Sequence, residues 1–178
     1  MRVIAGSLKG RRLNTPKWEG LRPTSDKLRE TLFNVVARRV PDARVLDLYA
    51  GTGAIGIEAL SRGATHVTFV DTDARARKLI TENLARCGVS DRYAIIQSPQ
   101  SLPAESFDLV VLDPPYAEPD LSAAIAAVDP LIAPGGLLIL EHARRRAAPA
   151  HVGRLDMTRD LVSGDSALAF YELGGTRG

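Results

Sequence analysis

Cysteine occurs once, as Cys87. A single thiol excludes an internal disulfide and any thiolate-rich metal site. Histidine is nearly as scarce. His66, His142 and His151 show no ligand spacing such as a pair four apart on one helix, so no bound metal is expected. No apolar run approaches the roughly 18 residues of a membrane span. The opening residues, MRVIAGSLKGRR, lack the apolar core of a secretory signal, which makes a cytoplasmic protein with no membrane partner the expectation. Internal repeats and low-complexity tracts are absent as well.

What remains is ordinary globular composition, 45% hydrophobic and 25% charged, in a chain long enough for one core. A single domain is expected over residues 1–178: a basic N-terminal extension (1–43), a core (44–173) and a short tail (174–178) that reads as disordered. The net charge is only +2, but it is unevenly placed. Residues 1–44 carry eleven Lys/Arg against four acids, and the rest carries twelve against seventeen. Such asymmetry is the footprint expected where one end of a protein meets a polyanion. Lys9, Arg11 and Arg12 would project from the N-terminal segment as phosphate-seeking charges.

The pattern of apolar residues predicts an N-terminal hairpin, with Val3–Ala5 opposite Arg11–Leu13 across a glycine-bearing turn. Pro23-Thr24-Ser25-Asp26 then starts a helix. This helix is expected to run to about Arg39 and to bury Leu28, Leu32, Val35 and Val36, leaving Arg29 and Glu30 off that stripe. From Arg44 onward, apolar strands alternate with helices, the signature of a mainly parallel sheet covered on both faces. Residues 154–161 and 167–173 read as a closing antiparallel hairpin.

Two motifs carry chemistry. The first is VLDLYAGTGAIG, Val45 to Gly56, in which Gly51, Gly53 and Gly56 have the spacing GxGxxG after a strand and before a helix. Glycines there let backbone approach a nucleoside ligand. Asp47 at the strand end disfavours a dinucleotide pyrophosphate and suits a cation, which S-adenosylmethionine supplies as sulfonium and ammonium. Asp71 ends the next strand, where an acid can accept bonds from both ribose hydroxyls. S-adenosylmethionine is therefore expected over NAD(P).

The second motif is Asp113-Pro114-Pro115-Tyr116, which follows the uncharged run Leu109–Leu112. An exocyclic amine on a base is a poor nucleophile because its lone pair is delocalised into the ring. Acceptors on both N–H bonds pull the nitrogen toward tetrahedral geometry. Asp113 and the Pro114 carbonyl are acceptors of that kind, Pro114 and Pro115 stiffen the loop, and Tyr116 can stack on an extruded base. The pair of motifs points to methyl transfer onto a planar amine.

The stretches RVIAGSLKGRRL (Arg2 to Leu13), RPTSDKLRETLFN (Arg22 to Asn34), VLDLYAGTGAIGIEALSRGA (Val45 to Ala64) and FDLVVLDPPY (Phe107 to Tyr116) resemble the bacterial 16S rRNA guanine-N2 methyltransferases of the RsmD family. The resemblance implies a Rossmann-like class I methyltransferase fold, S-adenosylmethionine as cofactor and N2-methylation of one guanine in 16S rRNA. Its substrate would be the 30S subunit or an assembly intermediate, met by a monomeric enzyme. Residue by residue, Asp47, Tyr49, Ala50, Gly51 and Gly53 match the cofactor loop, Asp71 and Thr72 the ribose corner, and Asp113 to Tyr116 the catalytic loop. Arg22, Thr24 and Asn34 match the segment placed to close over cofactor or RNA, and Arg29 completes the expected RNA-contacting set. One departure stands out: where such enzymes often carry an acid for the adenine amine, this chain has Gln97-Ser98-Pro99, leaving Ser98, or a backbone carbonyl in its place, as the expected contact. An adenine-N6 methyltransferase and an inactive RNA-binding module are the alternatives.

Overall fold

The computed structural model describes residues 1–21 and 23–175. The expected RNA contact Arg22 and residues 176–178 of the tail lie outside these described residues. Gly174, at the start of that tail, donates its N–H to the Arg154 carbonyl.

Helix α1 (Asp26–Val35) is capped by the Ser25 side chain, which accepts from Leu28 N–H. It is followed by β1 (Arg44–Leu48), α2 (Ala54–Ser61), β2 (His66–Val70), α3 (Ala74–Arg86), β3 (Tyr93–Ile96) and β4 (Phe107–Leu112). Then come α4 (Leu121–Val128), β5 (Ile132–Ala143), β6 (His151–Val152), β7 (Leu155–Ser163) and β8 (Ser166–Leu173). Asp73 caps α3 and Asp120 caps α4 in the same side-chain-to-backbone manner as Ser25, offsetting donors that a helix start leaves open.

The strands form one sheet in the order β3-β2-β1-β4-β5-β8-β7-β6. The pairings from β3 to β5 are parallel, and β5–β8, β8–β7 and β7–β6 are antiparallel. This is a Rossmann-like, mainly parallel sheet with an antiparallel C-terminal hairpin. One face is covered by the N-terminal segment, α1, α2 and α3, and the other by α4 and the 129–131 turn. Because β1 leads to β2 on one side and β4 lies on the other, the chain reverses direction of travel between β1 and β4. Ligands of open α/β sheets bind at such a switch point, outside the carboxyl ends of the strands.

Three expectations are corrected at the N-terminus. The hairpin is shorter than expected: Val3 N–H donates to the Arg11 carbonyl and Leu13 N–H to the Met1 carbonyl, both at 2.9 Å, on either side of the Arg2–Arg12 bridge, and the pairing stops before Ile4. Ile4 and Ala5 instead give their N–H groups to the Glu58 carboxylate at 2.9 and 3.0 Å, and Ser7 and Leu8 give theirs to Ser61. Buried backbone donors must be satisfied, and α2 supplies acceptors that a partner strand would otherwise provide. Gly6 holds φ 84° against this helix, where an added Cβ would meet the Ser61 carbonyl oxygen at 2.0 Å. Helix α1 ends at Val35 rather than near Arg39, with Val36 as its C-cap. Its buried stripe is Leu28, Arg29, Leu32, Phe33 and Val36, and Val35 faces outward.

Arg29 is the third correction. It is fully buried and therefore unable to grip RNA. Its Nη2 donates to the Arg2 carbonyl at 2.5 Å and to Asp26 at 2.9 Å. Burial lowers its pKa, with Glu58 and Asp26 opposing that shift. Glu58, itself fully buried, also pairs with Arg62 at 2.9 Å, whose guanidinium lies 4.9 Å above the Phe33 ring. This cluster fastens the basic extension to the core. Arg29→Ala is expected to destabilise the fold by about 3 kcal/mol, as when one member of a buried ionic cluster is removed. Arg29→Met, which keeps the packed volume and removes the unpartnered Nε and Nη1, should recover most of that loss in urea unfolding.

Candidate active site

Strand β1 delivers the glycine loop and β4 delivers Asp113-Pro114-Pro115-Tyr116, and register pairing of Leu48 with Leu112 sets the two exits side by side. Asp113 N–H donates to the Leu48 carbonyl across the gap, at 3.3 Å. A cavity of about 360 Å³ lies over both exits, within the roughly 300–1,000 Å³ of small-molecule sites. Its wall includes Tyr49, Ala50, Gly51, Asp71 and Thr72 from the cofactor side, Asp113 through Tyr116 from the other side, and Glu141 from β5. The loop before α1 forms the lid, through Gly20, Leu21, Pro23 and Thr24.

The glycine loop is held by carboxylates. Asp71 accepts from Gly51 N–H and Asp73 N–H, both at 2.9 Å, which fixes the turn at the ends of β1 and β2. Asp47 is buried beneath the loop and accepts from Gly56 N–H at 3.0 Å. Desolvation pushes its carboxyl well above the usual range, the Gly56 bond opposes this, and Asp113 and Asp71 add to it. Asp47 is thus a brace under the turn and not part of the cavity wall. Tyr49 takes φ 59°, a left-handed conformation that costs a non-glycine residue about 1–3 kcal/mol and clusters at functional sites. Burial, with Glu118 nearby, raises the pKa of its phenol.

The glycines divide their tasks. A Cβ on Gly51 would press on Leu21 of the lid at 3.2 Å, and Gly53 caps α2 at φ 79°. Gly56 serves packing: a Cβ there would stand 2.3 Å from the Phe69 ring.

The DPPY loop is secured at both ends. Thr24 Oγ1 lies 2.9 Å from Asp113 and 3.5 Å from Glu141, so this residue, expected in the segment that closes over cofactor or RNA, is a buried part of the cavity. The Tyr116 hydroxyl pairs with Ser166 Oγ at 2.7 Å, leaving the ring partly exposed on the wall. Beyond it, Arg146 donates to the Glu118 and Pro119 carbonyls. The Arg146 carbonyl in turn lies 2.7 Å from Nδ1 of buried His142, whose Nε2 meets Asp160 at 3.0 Å.

Ser98 is not among the lining residues. Its hydroxyl accepts from Gln100 N–H and caps the short 99–101 turn. Among the described residues no group of three or more His, Cys, Asp or Glu side chains is placed to hold a metal ion, and no helix is long and apolar enough to cross a membrane.

Beside the cavity runs a second, wider groove of about 890 Å³. Arg2, Arg12 and Lys17 line one bank, and Arg75, Lys78 and Arg86 of α3 the other, with Glu82 the acid among them. The Arg75 guanidinium sits 5.0 Å over the Trp18 ring and also pairs with Asp73 at 2.8 Å. Lys78 approaches Glu82 at 4.0 Å. Arg86 Nε donates to the Arg12 carbonyl. Lys9 and Arg11 are exposed but lie outside this groove. The α3 bank was not visible in the charge distribution, because the acids of residues 45–178 outnumber the basic residues there, and Glu141 carried no local motif.

Strand order, a glycine loop at the switch point and a proline-stiffened acidic loop beside it define the class: a Rossmann-like methyltransferase. The chain matches the family described as Conserved hypothetical protein 95 over residues 1–172. It is 32% identical to the Ribosomal RNA small subunit methyltransferase D of Escherichia coli K12, over 97% of this chain and 89% of that protein. It is 37% identical to the YlbH protein of Bacillus subtilis, over 98% of this chain and all of YlbH. The solved structure of E. coli yhhF superposes with a TM-score of 0.83 at 31% identity, covering 97% of both chains. The chain belongs to the small-subunit rRNA methyltransferase D family, also called RsmD.

Proposed function

We propose that the protein transfers a methyl group from S-adenosylmethionine to the exocyclic N2 amine of a guanine in 16S rRNA, within the small ribosomal subunit or its assembly intermediate. The observation that carries this reading is the single cavity shared by the glycine loop and the DPPY loop. Three of its lining residues, Asp71, Asp113 and Glu141, are carboxylates, which suit a cationic ligand and not a pyrophosphate. The Escherichia coli relative is a small-subunit rRNA methyltransferase by name, which supports small-subunit RNA as the substrate. A single cytoplasmic domain acting as a monomer belongs to the same proposal.

The residues present fit the cofactor. Asp71 would hold the ribose hydroxyls, the Ala50–Gly51 backbone would take the nucleoside, and Leu21 would cover it. When bound, S-adenosylmethionine supplies an electrophilic methyl on a cationic sulfur. The chain's own part is to hold the amine. Asp113 and the Pro114 carbonyl accept its two N–H bonds, so the lone pair projects out of the base plane. Tyr116, tethered by Ser166, offers a ring face to the base. Asp113 or water takes the proton released once nitrogen is alkylated. Most of the rate enhancement then comes from positioning and preorganised dipoles.

RNA flanking the target guanine would follow the basic groove, whose Trp18 sits on the same loop as the lid residues Gly20 and Leu21. Arg12→Ala with Lys17→Ala is expected to weaken subunit binding, with cofactor affinity unchanged. Each lost phosphate contact should shallow the log–log salt slope by about 0.7 on single-stranded RNA. A slope identical to that of the unaltered protein would remove the groove from the RNA path. The function itself is tested by incubating the protein with labelled S-adenosylmethionine and unmethylated small subunits. Label is expected in the RNA and not in duplex DNA.

A further inference from the structure

We infer that Glu141 reads the guanine by accepting a hydrogen bond from its N1–H, and so sets which base the site methylates. The inference rests on the proposed reading that a base amine is held at Asp113. Glu141 follows Leu140 on β5, and β4 and β5 run parallel with Leu112 opposite Leu140. Continuing that register sets Asp113 and Glu141 side by side at the carboxyl edge of the sheet. Both line the same cavity, and the Thr24 hydroxyl stands between their carboxylates, at 2.9 and 3.5 Å. Glu141 is buried.

Two adjacent acceptors are a pattern that the Watson–Crick edges of the four bases answer differently. Enzymes that act on an extruded base read it at this edge. Guanine presents N1–H and N2–H as neighbouring donors, matching Glu141 and Asp113 in turn. Adenine presents an amine beside a bare N1, and cytosine an amine beside a bare N3. Either ring nitrogen would face the Glu141 carboxylate lone pair to lone pair. Uracil carries no amine. An acceptor pair with the amine held at Asp113 therefore selects guanine. It also turns away the adenine-N6 chemistry that a DPPY loop alone would permit.

The test uses 2-aminopurine, which keeps the exocyclic amine at C2 but has an unprotonated N1. Small subunits are reconstituted from 16S rRNA carrying guanine or 2-aminopurine at the methylated position, joined by splinted ligation. Methyl transfer is then compared for the unaltered protein, Glu141→Gln and Glu141→Asp. The unaltered protein should prefer guanine by about 10²-fold or more, since a site built around a donor rejects the analogue that lacks it. Glu141→Gln, whose amide can donate to a bare N1, should reduce that preference at least about tenfold, the scale of one charged hydrogen bond. Glu141→Asp, a shorter acceptor, should transfer more slowly yet keep the preference. S-adenosylmethionine titration and thermal melting of each variant report whether it is folded.

Equal losses on both bases in Glu141→Gln, with cofactor binding intact, would make Glu141 a structural residue and overturn the inference alone. A Glu141→Gln protein too unstable to bind cofactor leaves the decision to Glu141→Asp, where loss of the guanine preference overturns it. Failure of the unaltered protein to methylate guanine would remove the proposed function and this inference together.

Discussion

Replacing Asp113 with alanine is expected to lower kcat by about 10²–10⁴-fold, the range associated with a positioned proton-handling side chain, while S-adenosylmethionine still binds. Asp113 is at the end of β4 and is held by Thr24 at 2.9 Å, and the cofactor-side wall of the cavity is built from other residues. The variant therefore loses the acceptor that orients the amine without losing the glycine loop. Asp113→Asn keeps a carbonyl oxygen and should retain part of the rate. Single-turnover transfer, measured beside calorimetric cofactor binding, separates the two effects. Near-normal turnover in Asp113→Ala would place the chemistry elsewhere.

Asp71→Ala should produce the opposite split. Its carboxylate accepts from Gly51 and Asp73 in the structure and is the acid proposed for the ribose hydroxyls. Removing it slackens the turn and deletes a charged acceptor, and hydrogen bonds to a charged group contribute about 1.5–3 kcal/mol each. The expected result is S-adenosylmethionine binding at least about 100-fold weaker, with Kd rather than the saturated rate carrying most of the change. Asp71→Asn preserves one acceptor and should fall between. A Kd within a few-fold of the unaltered protein would move the ribose away from Asp71.

The alternation of strands and helices from Arg44 onward was legible because the strands are short apolar runs and the helices between them are bounded by turn or capping residues such as Gly63, Asp73 and Gly88. The DPPY and glycine motifs were legible because each is contiguous. What escaped depends on contacts distant in sequence. Arg29 reads locally as a surface cation, and only the approach of Glu58 from α2 and the Arg2 carbonyl makes its burial tolerable. Val3–Ala5 and Arg11–Leu13 read as paired strands, but the pairing stops at Val3 because Glu58 takes the Ile4 and Ala5 N–H groups that a longer ladder would use. Thr24 looks like a helix-start hydroxyl until the lid folds it onto Asp113. Glu141 sits inside an apolar strand with no motif around it, and parallel register alone brings it beside Asp113. Asp47 was placed near a cationic ligand on spacing, whereas its depth beneath the loop turns it into a brace for Gly56.

The proposed function is tested most directly by the identity of the methylated nucleoside. Unmethylated small subunits are incubated with the protein and labelled S-adenosylmethionine, and the RNA is digested to nucleosides and resolved against standards. The expected product is N2-methylguanosine, at a single site in 16S rRNA. Label in N6-methyladenosine, or in DNA offered alongside, would contradict it.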